Sequence, residues 1–197
     1  VMVKFAPILA GAFDQVATAY GGKMFVTAVR GNHDRLPAKP QFKGRAKNSW
    51  NYLLLHMVAS HFKDRADVRF EHAPGSYFMV PVYDRWIWES HGDEAKGGGG
   101  WAGIWSPLGT IHRRAVELAA PHGRQIDHVA VGHWHTTVLA HARGLVCNGS
   151  MKGYDEYASG LRLKPEPAQQ NWWVTTPKHG VTLAGSLFLE DRKAEGW

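Results

Sequence analysis

Met24-Phe25-Val26-Thr27-Ala28-Val29-Arg30-Gly31-Asn32-His33-Asp34 carries the reading of this chain. Met24–Val29 are all apolar or β-branched and predict a short buried strand. The run turns polar at Gly31, and an amide, an imidazole and a carboxylate follow just past the strand's C-terminal end. In layered α/β folds ligand-binding and catalytic groups gather at such strand ends. Upstream, Val3, Phe5, Ile8, Leu9, Phe13, Val16, Ala17 and Tyr20 recur at helical spacing. They predict a helix over 3–20 with these residues on one side, ended by Gly21-Gly22.

Downstream, 35–47 reads as a polar loop with Pro37 and Pro40. Asn48 or Ser49 is placed to cap a helix running to about Phe62, with Leu53, Leu54, Met57 and Val58 on its apolar face. Residues 68–72 predict a strand. Residues 77–82 and 85–89 alternate about Tyr83-Asp84 and predict a hairpin that delivers His91-Gly92-Asp93. Residues 94–106 hold four consecutive glycines at 97–100 and read as a mobile loop. Ser106 as cap and Pro107 at the first position predict a helix over 107–120. Another short strand, 127–131, leads into Gly132-His133-Trp134-His135. Residues 136–141 and 145–148 pair around 142–144, and 180–189 form a last strand. Strands alternating with helices and then hairpins predict a layered α/β sandwich with mixed sheets, one domain over 1–197.

Composition narrows the class. Hydrophobic residues at 44% and charged residues at 20% suit a soluble globular domain. No apolar run reaches membrane-span length, and no signal peptide or lipidation motif is visible, so no membrane association is expected. Cys147 is the single cysteine, which excludes an intrachain disulfide and a thiolate cluster and suits a reducing, cytoplasmic compartment. The formal charge of +6 suits an anionic partner or simply a solvated basic surface. Arg35, Lys39, Lys43, Arg45 and Lys47 share one loop without an acidic residue. That loop either holds a phosphodiester backbone or is a solvated linker. Trp101 and Trp105 either stack on bases or pack against the sheet.

The three polar blocks are built from metal-ligand residues. A His-x-His pair at a turn points two rings toward one cleft, where they serve two neighbouring ions more readily than one. An Asn carbonyl is a neutral oxygen ligand, and mixed N and O donors suit a borderline divalent metal. His33, beside a ligand, is placed to give or take a proton, with Asp34 to orient it. Most of the other histidines are assigned to surface or core, and His141 and His179 receive no assignment.

In order and spacing, Gly31-Asn32-His33-Asp34, His91 and Gly132-His133-Trp134-His135 resemble the calcineurin-like metallophosphoesterase superfamily; the basic loop is similar to that of phage-borne members. The resemblance covers nearly all of 1–150. It implies Asn32, His91 and His133 as ligands of one metal and His135 as a ligand of the other. It implies His33 as the group that contacts phosphate and protonates the leaving oxygen, with Asp34 as its orienting partner; Arg35, in the basic loop that starts right after His33, is the candidate substrate contact. The cofactors implied are two divalent ions, manganese, iron or zinc, and the reaction is attack of a metal-bound hydroxide on phosphorus. The family's Asp-x-His and its first Gly-Asp block have no counterpart here. The chain is therefore expected to begin after the family's first strand, with one metal site incomplete. A phosphodiester or nucleic acid, DNA or RNA, is the favoured substrate, as for a nuclease. A phosphomonoesterase, or a ligand-depleted scaffold that binds other proteins, are the alternatives.

Overall fold

Helix α1 (Met2–Tyr20) opens the computed structural model, which describes residues 2–39, 43–96, 103–160 and 165–191. Its predicted apolar face is only partly the buried one. Val3, Phe5, Ile8, Val16 and Tyr20 are exposed, whereas Ala6, Ala10 and Ala17 are buried. The helix is apolar nearly all round, so periodicity did not single out a face. The short alanine side chains let a neighbour approach closely, and Leu9 and Phe13 fill in beside them against Val58, Phe62 and Val68. Gly21 ends the helix in the left-handed conformation, at φ 66°, and donates its N–H to Ala17 O at 3.0 Å.

The chain divides into two compact units, Val1–Phe78 and Met79–Trp197. In the first, β1 (Met24–Ala28) pairs in parallel with β2 (Val68–His72), from Met24↔Val68 to Ala28↔His72. Parallel strands need a crossover, here α2 (Trp50–Ser60). Of the two predicted caps, Ser49 is the one used. It is buried, accepts from the Tyr52 N–H at 3.1 Å and donates to Ala46 O at 3.1 Å. Leu55 and Val58 are buried on α2 and Leu54 and Met57 pack against the core, while Leu53 faces solvent. Phe70 sits edge-on to Phe13, ring centroids 5.8 Å apart, and 5.1 Å from Phe62.

The second unit is built on a mixed sheet in the order β3 (Tyr77–Val82), β4 (Arg85–Ser90), β5 (Ile126–Val131), β7 (Leu145–Cys147), β6 (Val138–Ala140), so the protein is α/β with a mixed five-stranded sheet. Strand β3 turns through Tyr83-Asp84 into β4. β4 runs parallel to β5, and β5 parallel to β7, while β6 is antiparallel to β7. The β4–β5 crossover carries α3 (Trp105–Ala119), whose Leu108, Ile111, Ala115 and Ala119 are buried. Ser106 does not cap it. The helix starts at Trp105, with Ile104 before it and no side-chain cap, and the Ser106 carbonyl instead accepts from Thr110 Oγ1 at 3.1 Å. Pro107 lies in the first turn, where its missing N–H has no intrahelical acceptor to lose.

A short helix, α4 (Glu156–Gly160), and a strand, β8 (Gln169–Thr176), lie where no element was predicted. β8 forms an antiparallel hairpin with β9 (Gly180–Phe188). The glycine run at 97–100 and Trp101 lie outside the described residues, while Trp105 stands on α3. No helix among the described residues is long and apolar enough to cross a membrane.

Candidate metal-ligand site

In the first unit the polar turn follows β1, as its strand-end position requires. Asn51 of α2 donates to Val29 O at 3.0 Å, and the Trp50 N–H donates to Asp34 O at 2.7 Å, so the start of α2 braces both ends of the turn. Arg35 donates its guanidinium to the Asn32 carbonyl, which ties the predicted substrate contact to the predicted ligand residue. His33 is exposed and Asn32 half-buried. Both carboxylate oxygens of Asp34 are shielded from solvent and neither completes a hydrogen bond of ordinary geometry. Burial pushes its carboxyl above the usual carboxylate range. The Arg30 guanidinium and the backbone N–H groups of Asp34, Gly31 and Asn51 pull it back only in part.

In the second unit β4 and β5 are parallel neighbours, so the residues just past their ends lie side by side. The Gly132 N–H donates to His91 O at 3.0 Å and carries the pairing beyond the strands. The His91 and His133 rings follow it and meet with centroids 5.1 Å apart, interplanar angle 67°. Gly92 adopts φ 108° and donates its N–H to Glu94 Oε2 at 3.0 Å. A Cβ there would lie 2.7 Å from Trp134 Cζ3 and 3.2 Å from His133 Cβ. Gly92 is thus the surface on which Trp134 rests, and Trp134 in turn meets the His133 ring edge-on at 5.2 Å.

His133 and His135 both occupy the left-handed region, at φ 73° and 53°. A residue with a Cβ pays roughly 1–2 kcal/mol for that conformation, and such strain collects at functional sites. The His135 ring lies 6.4 Å from that of Tyr157. The segment after it is fastened by Glu166, which accepts from the Thr137 N–H at 2.9 Å and from Gln169 Nε2 at 3.3 Å. Beneath the turn Cys147 is buried, its Sγ 3.5 Å from Gly132 O. Burial, with the Glu166 charge second, pushes its thiol up to about 12. It is packing, not a nucleophile.

Two imidazoles from adjacent strand ends are a donor pair that a borderline divalent ion accepts. Among the described residues no set of three or more His, Cys, Asp or Glu is placed to hold an ion. The His91–His133 pair supplies two such donors. Trp134, Glu94 and Glu166 support this geometry and were not singled out from the sequence as supports.

Comparison with known families gives no matching family model, and comparison with curated proteins gives no match. Among solved structures the chain is similar to a single mutant of Vps29 from Entamoeba histolytica. The TM-score is 0.39 and the identity 11%, over 84% of this chain and 98% of that one.

Proposed function

We propose that this chain is a metal-dependent phosphoester hydrolase of the calcineurin-like type, acting on a phosphodiester or nucleic acid. The observation that carries the reading is the His91–His133 pair, held by the Gly132–His91 backbone bond at the ends of two parallel strands. Those imidazoles would hold a divalent ion. A bound ion supplies Lewis-acid polarisation of a phosphoryl oxygen and a more acidic water. His33, exposed beside Asn32, is the residue that the family resemblance makes the proton donor to a leaving oxygen. Arg35 and the cationic loop behind it favour a phosphodiester backbone over an uncharged substrate.

A binding scaffold with a depleted metal site is the second reading. What favours it is the lack of any three-donor His, Cys, Asp or Glu cluster among the described residues. Hydrolysis of bis-p-nitrophenyl phosphate and of p-nitrophenyl phosphate with manganese added separates the readings. Metal-dependent turnover that prefers the diester and falls in His33→Ala supports the hydrolase. Preference for the monoester moves the assignment to a phosphomonoesterase. No turnover with any divalent metal supports the scaffold.

A further inference from the structure

At the opposite end of β4 from His91, a cleft of about 370 Å³ lies between two hairpin turns, with Asp127 of β5 in its wall. One turn, Tyr83-Asp84, joins β3 to β4; the other, around Lys178, joins β8 to β9. Behind the wall stands a chain of hydrogen-bonded groups. Asp127 Oδ2 lies 2.6 Å from His128 Nδ1, and His128 Nε2 lies 3.2 Å from His141 Nδ1. A carboxylate only accepts, so His128 Nδ1 carries the proton and donates. The His141 ring then stands 6.2 Å from that of Trp173, its Nε2 shielded and without a hydrogen-bond partner.

The direction of burial decides what this chain of groups does. The His128 side chain is 5% exposed and that of Asp127 is 31% exposed. In an acid–imidazole pair built for proton transfer to substrate, the imidazole faces the substrate and the acid is behind it. Here the order is reversed: the carboxylate faces the cleft and the imidazoles brace it. Asp127 is therefore a fixed acceptor for a ligand's cationic or N–H group. Of the other charges in the lining, Asp84 is matched by Arg85, whose Nε lies 3.5 Å from Asp84 Oδ2. Lys178 is exposed on the facing turn and supplies a cation for a ligand's anionic group. Val82, Ile87 and Pro177 add an apolar portion to the lining. Tyr83, on the rim, holds φ 56°, as the first central residue of a two-residue hairpin turn requires.

We propose that this cleft is a second binding site, separate from the histidine pair, for a small zwitterion of the free α-amino-acid class. The ammonium is received by Asp127, the carboxylate by Lys178, and an aliphatic side chain by the apolar lining. A cleft of this volume is large enough for such a molecule.

The test uses the full chain titrated with L-leucine, N-acetyl-L-leucine and L-leucinamide, followed by amide chemical shifts. Leucine is expected to bind saturably and more tightly than either half-ligand. Asp127→Asn keeps an oxygen acceptor for His128, so the fold is retained. It is expected to weaken leucine and leucinamide at least tenfold and leave N-acetyl-leucine unchanged. Lys178→Met is expected to weaken leucine and N-acetyl-leucine and leave leucinamide unchanged. His91→Ala is expected to change none of the three. Absence of saturable leucine shifts in the folded wild-type chain overturns the proposal, as do variants that affect the three ligands alike.

Discussion

Replacing Gly92 by alanine probes the geometry that sets the imidazole pair. Two separate costs follow from the structure. At φ 108° a side chain is strained whatever room it has, roughly 1–2 kcal/mol by analogy with other left-handed backbone positions. The added Cβ would also stand 2.7 Å from Trp134 Cζ3, 3.1 Å from Cη2 and 3.2 Å from His133 Cβ. Displacing a packed indole and the adjoining turn costs about 1–3 kcal/mol as overpacking. Partial relaxation of the half-buried Trp134 keeps the sum near 2–4 kcal/mol. Urea unfolding followed by tryptophan fluorescence reads this loss. The Gly92→Ala, Trp134→Ala double mutant removes the steric part, so the cycle is expected to show at least about 1 kcal/mol of coupling. A Gly92→Ala loss under about 0.5 kcal/mol, with no coupling to Trp134, would refute the reasoning, since that is the range of an unconstrained surface change.

Ser49→Ala removes the buried cap of α2 and leaves the Tyr52 N–H without its acceptor, so unfolding in urea is expected to show a loss of about 1–2 kcal/mol. The Cys147 thiol, pushed up to about 12, is expected to resist a disulfide reagent at pH 8 in the native chain and to react promptly in denaturant. Burial, then the neighbouring His128, holds His141 below its ordinary value of 6.5. A base depressed in the fold contributes stability that is complete above about 6.5 and is lost as pH falls through the lower folded value. Urea midpoints measured from pH 8 downward are expected to fall more steeply below that point for the wild type than for His141→Gln.

Much of the fold was legible because its elements announce themselves locally. The strand before Gly31, the Ser49 cap, the turn at Tyr83-Asp84 and the strand before Gly132 all depend on neighbouring residues, and all stand within a residue or two of expectation. What failed depends on distant partners. Ala6, Ala10 and Ala17 are the buried stripe of α1 because α2 comes close, and nothing inside α1 says so. Strand β8 opens with Gln169-Gln170-Asn171, a polar start that masked the β-prone Trp172–Thr176 behind it. Those polar residues pair with the end of β7, where Asn171 donates to Cys147 O and Asn148 to Gln170. The candidate site divides in the same way. The strand-end position of His91 and His133 was readable from their motifs, and parallel pairing places them side by side. The Trp134–Gly92 packing and the left-handed His133 were not, because they arise from the register of two strands. The Asp127–His128–His141 chain was hidden for that reason too: His128 read as one more core or surface histidine until β7 and its preceding turn brought His141 to it.

Calorimetric titration of manganese and of zinc into the full chain, beside His91→Ala and His133→Ala, bears most directly on the central claim that the paired imidazoles hold an ion. The expected result is a saturable heat in the wild type that drops at least tenfold in affinity in both variants, with folding intact by circular dichroism. A wild-type chain that takes up neither metal, or variants that bind as well as the wild type, would contradict it.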